Sequence, residues 1–183
     1  MYLPEAIFLT GPSSAGKTSI ARELIRRLEV PYLYLSIDSY FQQYPVPIGP
    51  ETVSQERFEM LVSGFHRATF GTVSAGNFSV VDLVLRKEHW WRECAELFKG
   101  HQTMIVQVRC SLEELERRER DRGDREIGMA RWQCANMANS SLCDFEVDTT
   151  RLSTTEAVDA MLVHLSTQPR PTALGNYRRA EPR

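Results

Sequence analysis

No stretch of the 183-residue chain approaches the roughly 18 consecutive apolar residues that a membrane span requires, which excludes a helical membrane protein as the expected class. A basic surplus is missing too. The formal net charge is −2, with 25% charged and 42% hydrophobic residues, so nucleic acid is not an implied partner. Cysteine is sparse: Cys94, Cys110, Cys134 and Cys143 lie scattered, without C-x-x-C spacing and without a histidine pair at metal-ligand distance in sequence. They read as reduced thiols. The leading segment "MYLPEAIFLTG" contains a proline and a glutamate and only a short apolar run, unlike the basic and then long apolar regions of a secretory signal. Together these absences lead to the expectation of a soluble, cytoplasmic protein. No internal repeat is present, and the length fits one domain with a substantial core.

What the chain does have is alternation. Apolar runs of strand length occur at 6–10, 32–37, 78–85, 104–108 and 145–147, and between them lie segments of helical character at 17–28, 54–75, 88–98, 112–122, 126–138 and 154–165. Strands alternating with helices predict parallel βαβ units in an α/β fold, with the sheet covered on both faces. "QQYPVPIGPET" (42–52) is too rich in proline for a regular element and predicts a connecting loop. "TQPRPTALGNYRRAEPR" lacks periodicity. It predicts an ordered domain over 1–166 and a flexible tail over 167–183.

Directly after the first strand stands "GPSSAGKT", which matches G-x-x-x-x-G-K-S/T at every fixed position, with a strand before it and the periodic "SIARELIRRL" after it. Gly11, Pro12, Ser13, Ser14, Ala15, Gly16, Lys17 and Thr18 therefore form a candidate phosphate loop. In such a loop, backbone N–H groups and a helix N-terminus hold a polyphosphate. Lys17 would bring a full positive charge to the β- and γ-phosphates of ATP, and the Thr18 hydroxyl would ligate Mg²⁺. On the third strand Asp82 interrupts an apolar run, where an unpaired carboxylate would be costly; a metal ion, its bound water or Thr18 would satisfy it.

Asp38 ends the second apolar run in "SIDSYF" and has two readings, a helix cap or an acid that handles a substrate proton. Tyr40 and Phe41 after it could be core or a pocket wall. Further along, "SLEELERRERDRGDREIG" interleaves acids and arginines. Glu113 with Arg117, Glu114 with Arg118 and Glu116 with Arg120 stand at i,i+4, which predicts a solvated, ion-paired helix face for those three arginines. Arg122 and Arg125 flank Gly123, where the helix must falter, and so could be delivered to a transferring phosphoryl group by a closing lid. Arg131 is a lesser candidate. His66, His89, His101 and His164 are dispersed, and His66 reads as a surface or packed side chain.

With these segments in hand, the chain resembles the chloramphenicol phosphotransferase-like family of phosphate-loop kinases. The stretches that carry the resemblance are "GPSSAGKTSI", "DSYF", "GFHRATFGTVSAGNFSVVDLVL", "VRCSLEELERRERDRGDREIGMA" and "FEVDTT", in the family's order over most of 5–165. The resemblance implies a five-stranded parallel sheet ordered 2-3-1-4-5 with an arginine-bearing lid, and an ATP-dependent kinase acting on a hydroxyl of a small molecule. In the founding members that hydroxyl is chloramphenicol's, with antibiotic resistance as the implied role. It further implies Asp38 as the general base, Arg122 and Arg125 as the lid arginines, and residues 147–150 near the adenine. Met137-Ala138 and Cys143-Asp144 depart from the family's pattern, and 40–65, which should line the acceptor pocket, resembles it least. The acceptor is thus open: a nucleoside, a sugar, a nucleotide sugar or adenylyl sulfate are alternatives. A nucleotide-dependent binding switch is the alternative from another class, although the guanine-selecting N-K-x-D run is missing and the catalytic set is intact.

Overall fold

The computed structural model describes residues 3–49, 51–122, 128–137, 142–167 and 170–180. Five parallel strands form one sheet: β1 (Ala6–Thr10), β2 (Leu33–Ser36), β3 (Ser79–Asp82), β4 (Thr103–Arg109) and β5 (Phe145–Asp148), in the order β2-β3-β1-β4-β5. The central strand β1 is buried along its whole length, which is why it reads as an unbroken apolar run rather than an alternating one. Its side chains nevertheless sort by the period of two. Ile7 and Leu9 join one core and Ala6 and Phe8 the other.

The first core is closed by α1 (Lys17–Arg27), through Ile20 and Leu24, and by α7 (Thr154–Thr167), through Val158 and Met161. The second is closed by α3 (Gln55–Ser74) and α4 (Glu88–Leu97), with Phe65, Val73, Trp90 and Trp91. Ser54 starts α3 as its N-cap, accepting a hydrogen bond from the Arg57 amide at 3.2 Å. Two further helices, α5 (Leu112–Arg122) and α6 (Met129–Ala135), lie over the carboxyl end of the sheet's first-core side. No described helix is long and apolar enough to cross a membrane.

Two elements differ from the sequence expectation. The run 32–37 does not continue as strand to its end: Ser36 turns the chain into a short helix α2 (Ile37–Phe41), its hydroxyl accepting from the Ser39 amide at 3.4 Å. The cap of this helix is therefore Ser36. Asp38 sits one residue inside the first turn.

The expected flexible tail is the second correction. Residues Ala173–Ala180 form α8, with Ala173, Leu174 and Tyr177 buried against the second core. Tyr177 stacks near Trp91 at 6.2 Å and donates its hydroxyl to Glu88 Oε1 at 2.5 Å. Those three apolar residues stand at i, i+1 and i+4, one face of a helix, and their burial outweighs the polar, arginine-rich composition around them.

Candidate active site

The phosphate loop is held in shape by backbone geometry. Gly11 leaves β1 so close to β4 that a Cβ there would stand 2.2 Å from the Val108 carbonyl oxygen. Gly16 and Ser14 take left-handed φ values of 90° and 63°, and α1 begins at once after Gly16 with no side-chain cap. Its first amides are thereby left to whatever the loop surrounds. Lys17 is buried and folds back over the loop, donating to the carbonyls of Gly11 at 3.0 Å and Pro12 at 2.9 Å.

Asp82, buried at the end of β3, accepts from Thr18 Oγ1 at 2.7 Å and from the Tyr34 hydroxyl at 3.1 Å through the same oxygen. Burial, and next the neighbouring Asp82 charge, push the Tyr34 phenol up from its usual range. A hydroxyl and a carboxylate in contact beside the loop make a donor set of hard oxygens. That set suits Mg²⁺, which takes most of its ligands from water and phosphate rather than from a protein cage. No described group of three or more His, Cys, Asp or Glu residues offers such a cage elsewhere.

The arginine helix divides differently from its sequence pattern. Arg117 is exposed and pairs with Glu114 at 2.7 Å and Asp121 at 2.6 Å, and Glu114, bonded by Arg117 and Arg118, is held down at about 2. Arg118 is not on a solvated face. It turns inward, donating to the Thr149 carbonyl at 2.8 Å, to Thr149 Oγ1 at 3.2 Å and to the Ser14 carbonyl at 3.4 Å. Thr149 in turn donates to the Ala15 carbonyl at 2.9 Å, so the turn after β5 and α5 together brace the loop from the side. Identical i,i+4 spacing at 114/118 and 113/117 hid this difference. Arg125 lies outside the described residues, as does the side chain of Arg122.

Glu119, almost fully buried, accepts from the amides of Gly128 at 3.1 Å and Ala130 at 2.6 Å and so fixes the start of α6. From that helix Gln133 reaches across to the phosphate loop, its side-chain carbonyl accepting from the Ser13 amide at 2.6 Å. Arg131 points elsewhere, to Glu116 at 2.6 Å.

Two cavities open over the carboxyl ends of the strands. One, of about 490 Å³, lies on the phosphate loop and is lined by Lys17, Thr18, Asp82, Arg118, Thr149 and Leu152 to Thr154 among others. The other, of about 580 Å³, is mostly apolar, with Phe41, Phe58, Val62, Trp90, Met129 and Trp132 in its wall. Ile37, Asp38, Val84 and Gln133 border both. Asp38 is the acid among these four. The 42–52 loop contributes Ile48 and Gly49 to the second cavity. Of the aromatic pair after Asp38, Phe41 is wall, in a chain of rings with Phe58 at 5.6 Å and Trp90 beyond at 6.3 Å. Tyr40 is packing, over Gly64 and Phe65 of α3.

Glu59 on α3 fixes one wall. It accepts from His89 at 2.9 Å, Trp90 Nε1 at 2.7 Å and Gln55 at 2.7 Å, and pairs with Lys87. Burial alone would raise its carboxyl; the hydrogen bonds from Lys87, His89, Trp90 and Gln55 outweigh that and hold it at about 2. Because the folded value lies below the ordinary one, the stability it contributes is present above about 4.5 and is lost as pH falls toward 2. Glu59→Gln should therefore flatten the fall in denaturant midpoint over that window, followed by circular dichroism. His66 is buried and hydrogen-bonded with Glu93 at 2.8 Å, and it lines neither cavity.

A parallel sheet of this order, a phosphate loop after its first strand and an adjoining second cavity define a phosphate-loop kinase. The chain belongs to the chloramphenicol phosphotransferase-like protein family, whose model matches residues 4–166. It is 25% identical to a candidate O-phosphotransferase of Mycobacterium tuberculosis, over 97% of this chain and 90% of the relative. Among solved structures it shares its fold with the Mycobacterium tuberculosis APS kinase in complex with AMPPNP and APS. There the TM-score is 0.71 at 15% identity, covering 91% of this chain and all of that one. A gluconokinase from Sinorhizobium meliloti gives a TM-score of 0.68 at 16% identity, covering 99% of this chain and all of that one.

Proposed function

We propose that the protein transfers the γ-phosphoryl group of ATP to a hydroxyl of a small molecule seated in the apolar cavity. The single observation that carries this reading is Asp38, which borders both the loop cavity and the apolar cavity. A hydroxyl of an acceptor in the second cavity then meets the carboxylate and the end of the triphosphate at one place. Supporting it are the family, the intact phosphate loop and the inward face of Arg118.

In this reading Gly11 to Thr18 hold the phosphates through backbone amides, and Lys17 exchanges its two loop carbonyls for phosphate oxygens. Thr18 and Asp82 would hold Mg²⁺, which when bound would supply neutralisation of charge on the phosphates. Asp38 accepts or aligns the acceptor's hydroxyl proton. Arg118 steadies the loop and adds positive charge at its side, while Arg122 and Arg125 are proposed to complete the charge stabilisation from the lid. Thr149, in the 147–150 segment expected near the adenine, lines the loop cavity together with Leu152 to Thr154, which supports this side as the adenine end of the nucleotide cleft.

The test is an acceptor screen: purified protein, MgATP and a panel of antibiotic, sugar, nucleoside and aromatic alcohols, with added phosphate detected by mass spectrometry. At least one alcohol should gain 80 Da, approximately the mass of a phosphoryl group, at a rate well above ATP hydrolysis in its absence. Nucleotide binding with slow hydrolysis and no phosphorylated acceptor would favour the binding switch instead.

A further inference from the structure

The second cavity holds a cation that nothing in the phosphoryl-transfer reading uses. Arg86 follows β3 in the chain and lines this cavity beside an otherwise largely apolar wall. Its guanidinium lies between two indoles, 4.4 Å from the ring centre of Trp132 on α6 and 5.1 Å from that of Trp90 on α4. Cation–π attraction of this kind holds the guanidinium in place but supplies no oxygen acceptor for its N–H donors. Among the described residues no carboxylate, carbonyl or hydroxyl accepts from them.

The nearby acid does not serve. Glu59 is committed to Lys87, His89, Trp90 Nε1 and Gln55, and it attracts Arg86 only at a distance. What Glu59 does is orient Trp90, whose ring is one half of the clamp on Arg86. Asp38 is the other charged residue bordering the cavity. One acid and one base thus face a common apolar space of about 580 Å³. Burial weakens the guanidinium's hold on its proton, a cost that a bound anion would offset.

We infer that the acceptor is a ring-bearing alcohol that carries an oxyanion, a carboxylate or a phosphate, which Arg86 binds while Asp38 meets the hydroxyl. This rests on the kinase reading for the hydroxyl but not for the anion. The planar fork of an arginine matches both oxyanions with two parallel hydrogen bonds, and a flat ring fits against Phe41, Phe58 and Trp90. Arg86 is accordingly a specificity-determining residue rather than a catalytic one. Arg86 is only half-buried, so in a pocket for a neutral acceptor its N–H donors would be left to whatever water the filled cavity retains, a weaker arrangement than a paired oxyanion.

The test compares charged and neutral partners of the same shape. 3-Phenyllactate and 4-(hydroxymethyl)benzoate are each titrated against their neutral methyl esters, and 4-(hydroxymethyl)phenyl phosphate against its neutral dimethyl ester, with the protein's tryptophan fluorescence as the signal. At least one anion should bind ten times more tightly than its ester, and the carboxylate and phosphate arms decide which oxyanion is preferred. Arg86→Gln should remove the difference, and Arg86→Lys should keep part of it.

No preference for the charged member of any pair in the wild type overturns the proposal, whatever the variants do. It would also be overturned if Arg86→Gln left the preference intact, or if Arg86 merely stapled α6 so that the variant released Trp132 with no change in charge selectivity. The same mixtures with MgATP separate the two readings. Phosphate on neutral alcohols without an anion preference keeps the kinase and removes the oxyanion site. Anion-selective binding with no phosphate transferred does the reverse.

Discussion

Asp38→Asn should leave nucleotide affinity near that of the wild type and lower phosphate transfer by about 10²–10⁴-fold, the usual worth of a positioned general base. The two effects separate because of where Asp38 stands. It comes from the first turn of α2, outside the phosphate loop, and the cap of that helix is Ser36, which the substitution leaves in place. Asparagine keeps the shape and one acceptor oxygen but cannot take a proton. Since the transition state of phosphoryl transfer is loose, part of the role can be alignment alone. Asp38→Ala measures that part: a further drop beyond the asparagine variant assigns it to alignment, and equal losses assign the whole effect to proton acceptance. Isothermal titration with a non-hydrolysable ATP analogue and initial rates on any acceptor from the screen make the measurement. Near-normal turnover by Asp38→Asn would remove Asp38 from the chemistry.

The second large effect is structural. Gly11→Ala should destabilise the protein by at least about 3 kcal/mol and abolish nucleotide binding, because the new methyl would meet the Val108 carbonyl at 2.2 Å. A flexible side chain could swing aside, but Val108 is main chain in β4, hydrogen-bonded into the sheet next to β1. Either the loop or the central strand pair must move. Gly71→Ala is the matched control. It lies in the interior of α3 with no atom within 4 Å of its added methyl. The same substitution there should raise stability by up to about 1 kcal/mol through helix propensity. Chemical denaturation of both variants gives the comparison, and a folded, nucleotide-binding Gly11→Ala would contradict the close packing of loop on strand.

The strands and the phosphate loop were legible in the sequence because their signals are local. A fully buried parallel strand shows as a short apolar run, and G-x-x-x-x-G-K-T fixes its own turn chemistry. Asp82 drew notice for a related reason, since it interrupts an apolar run where a carboxylate needs a partner, and Asp38 because it ends one; both line the loop cavity. The residues that escaped depend on contacts between distant segments. Arg118 reads as one more member of an ion-paired face until the turn after β5 arrives beside it, 31 residues on. Arg86 and Trp132 are 46 positions apart, and neither is unusual until α6 is laid over β3's exit. Glu119, amid charged neighbours, gave no sign of burial. The tail had a usable signal in the spacing of Ala173, Leu174 and Tyr177, outvoted by prolines and arginines on either side.

That last helix bears on how the cavity floor is supported. Trp91 donates its indole N–H to the Leu85 carbonyl at 2.9 Å, immediately before Arg86, and Tyr177 of α8 covers the other side of the same indole. The family-matched region ends at residue 166, yet the segment carrying Arg86 is buttressed by a residue eleven positions later. The packed unit is thus longer than the family-matched region. A substitution at Tyr177, remote in sequence from the phosphate loop, is thereby expected to reach the second cavity through Trp91 and the Leu85–Arg86 backbone.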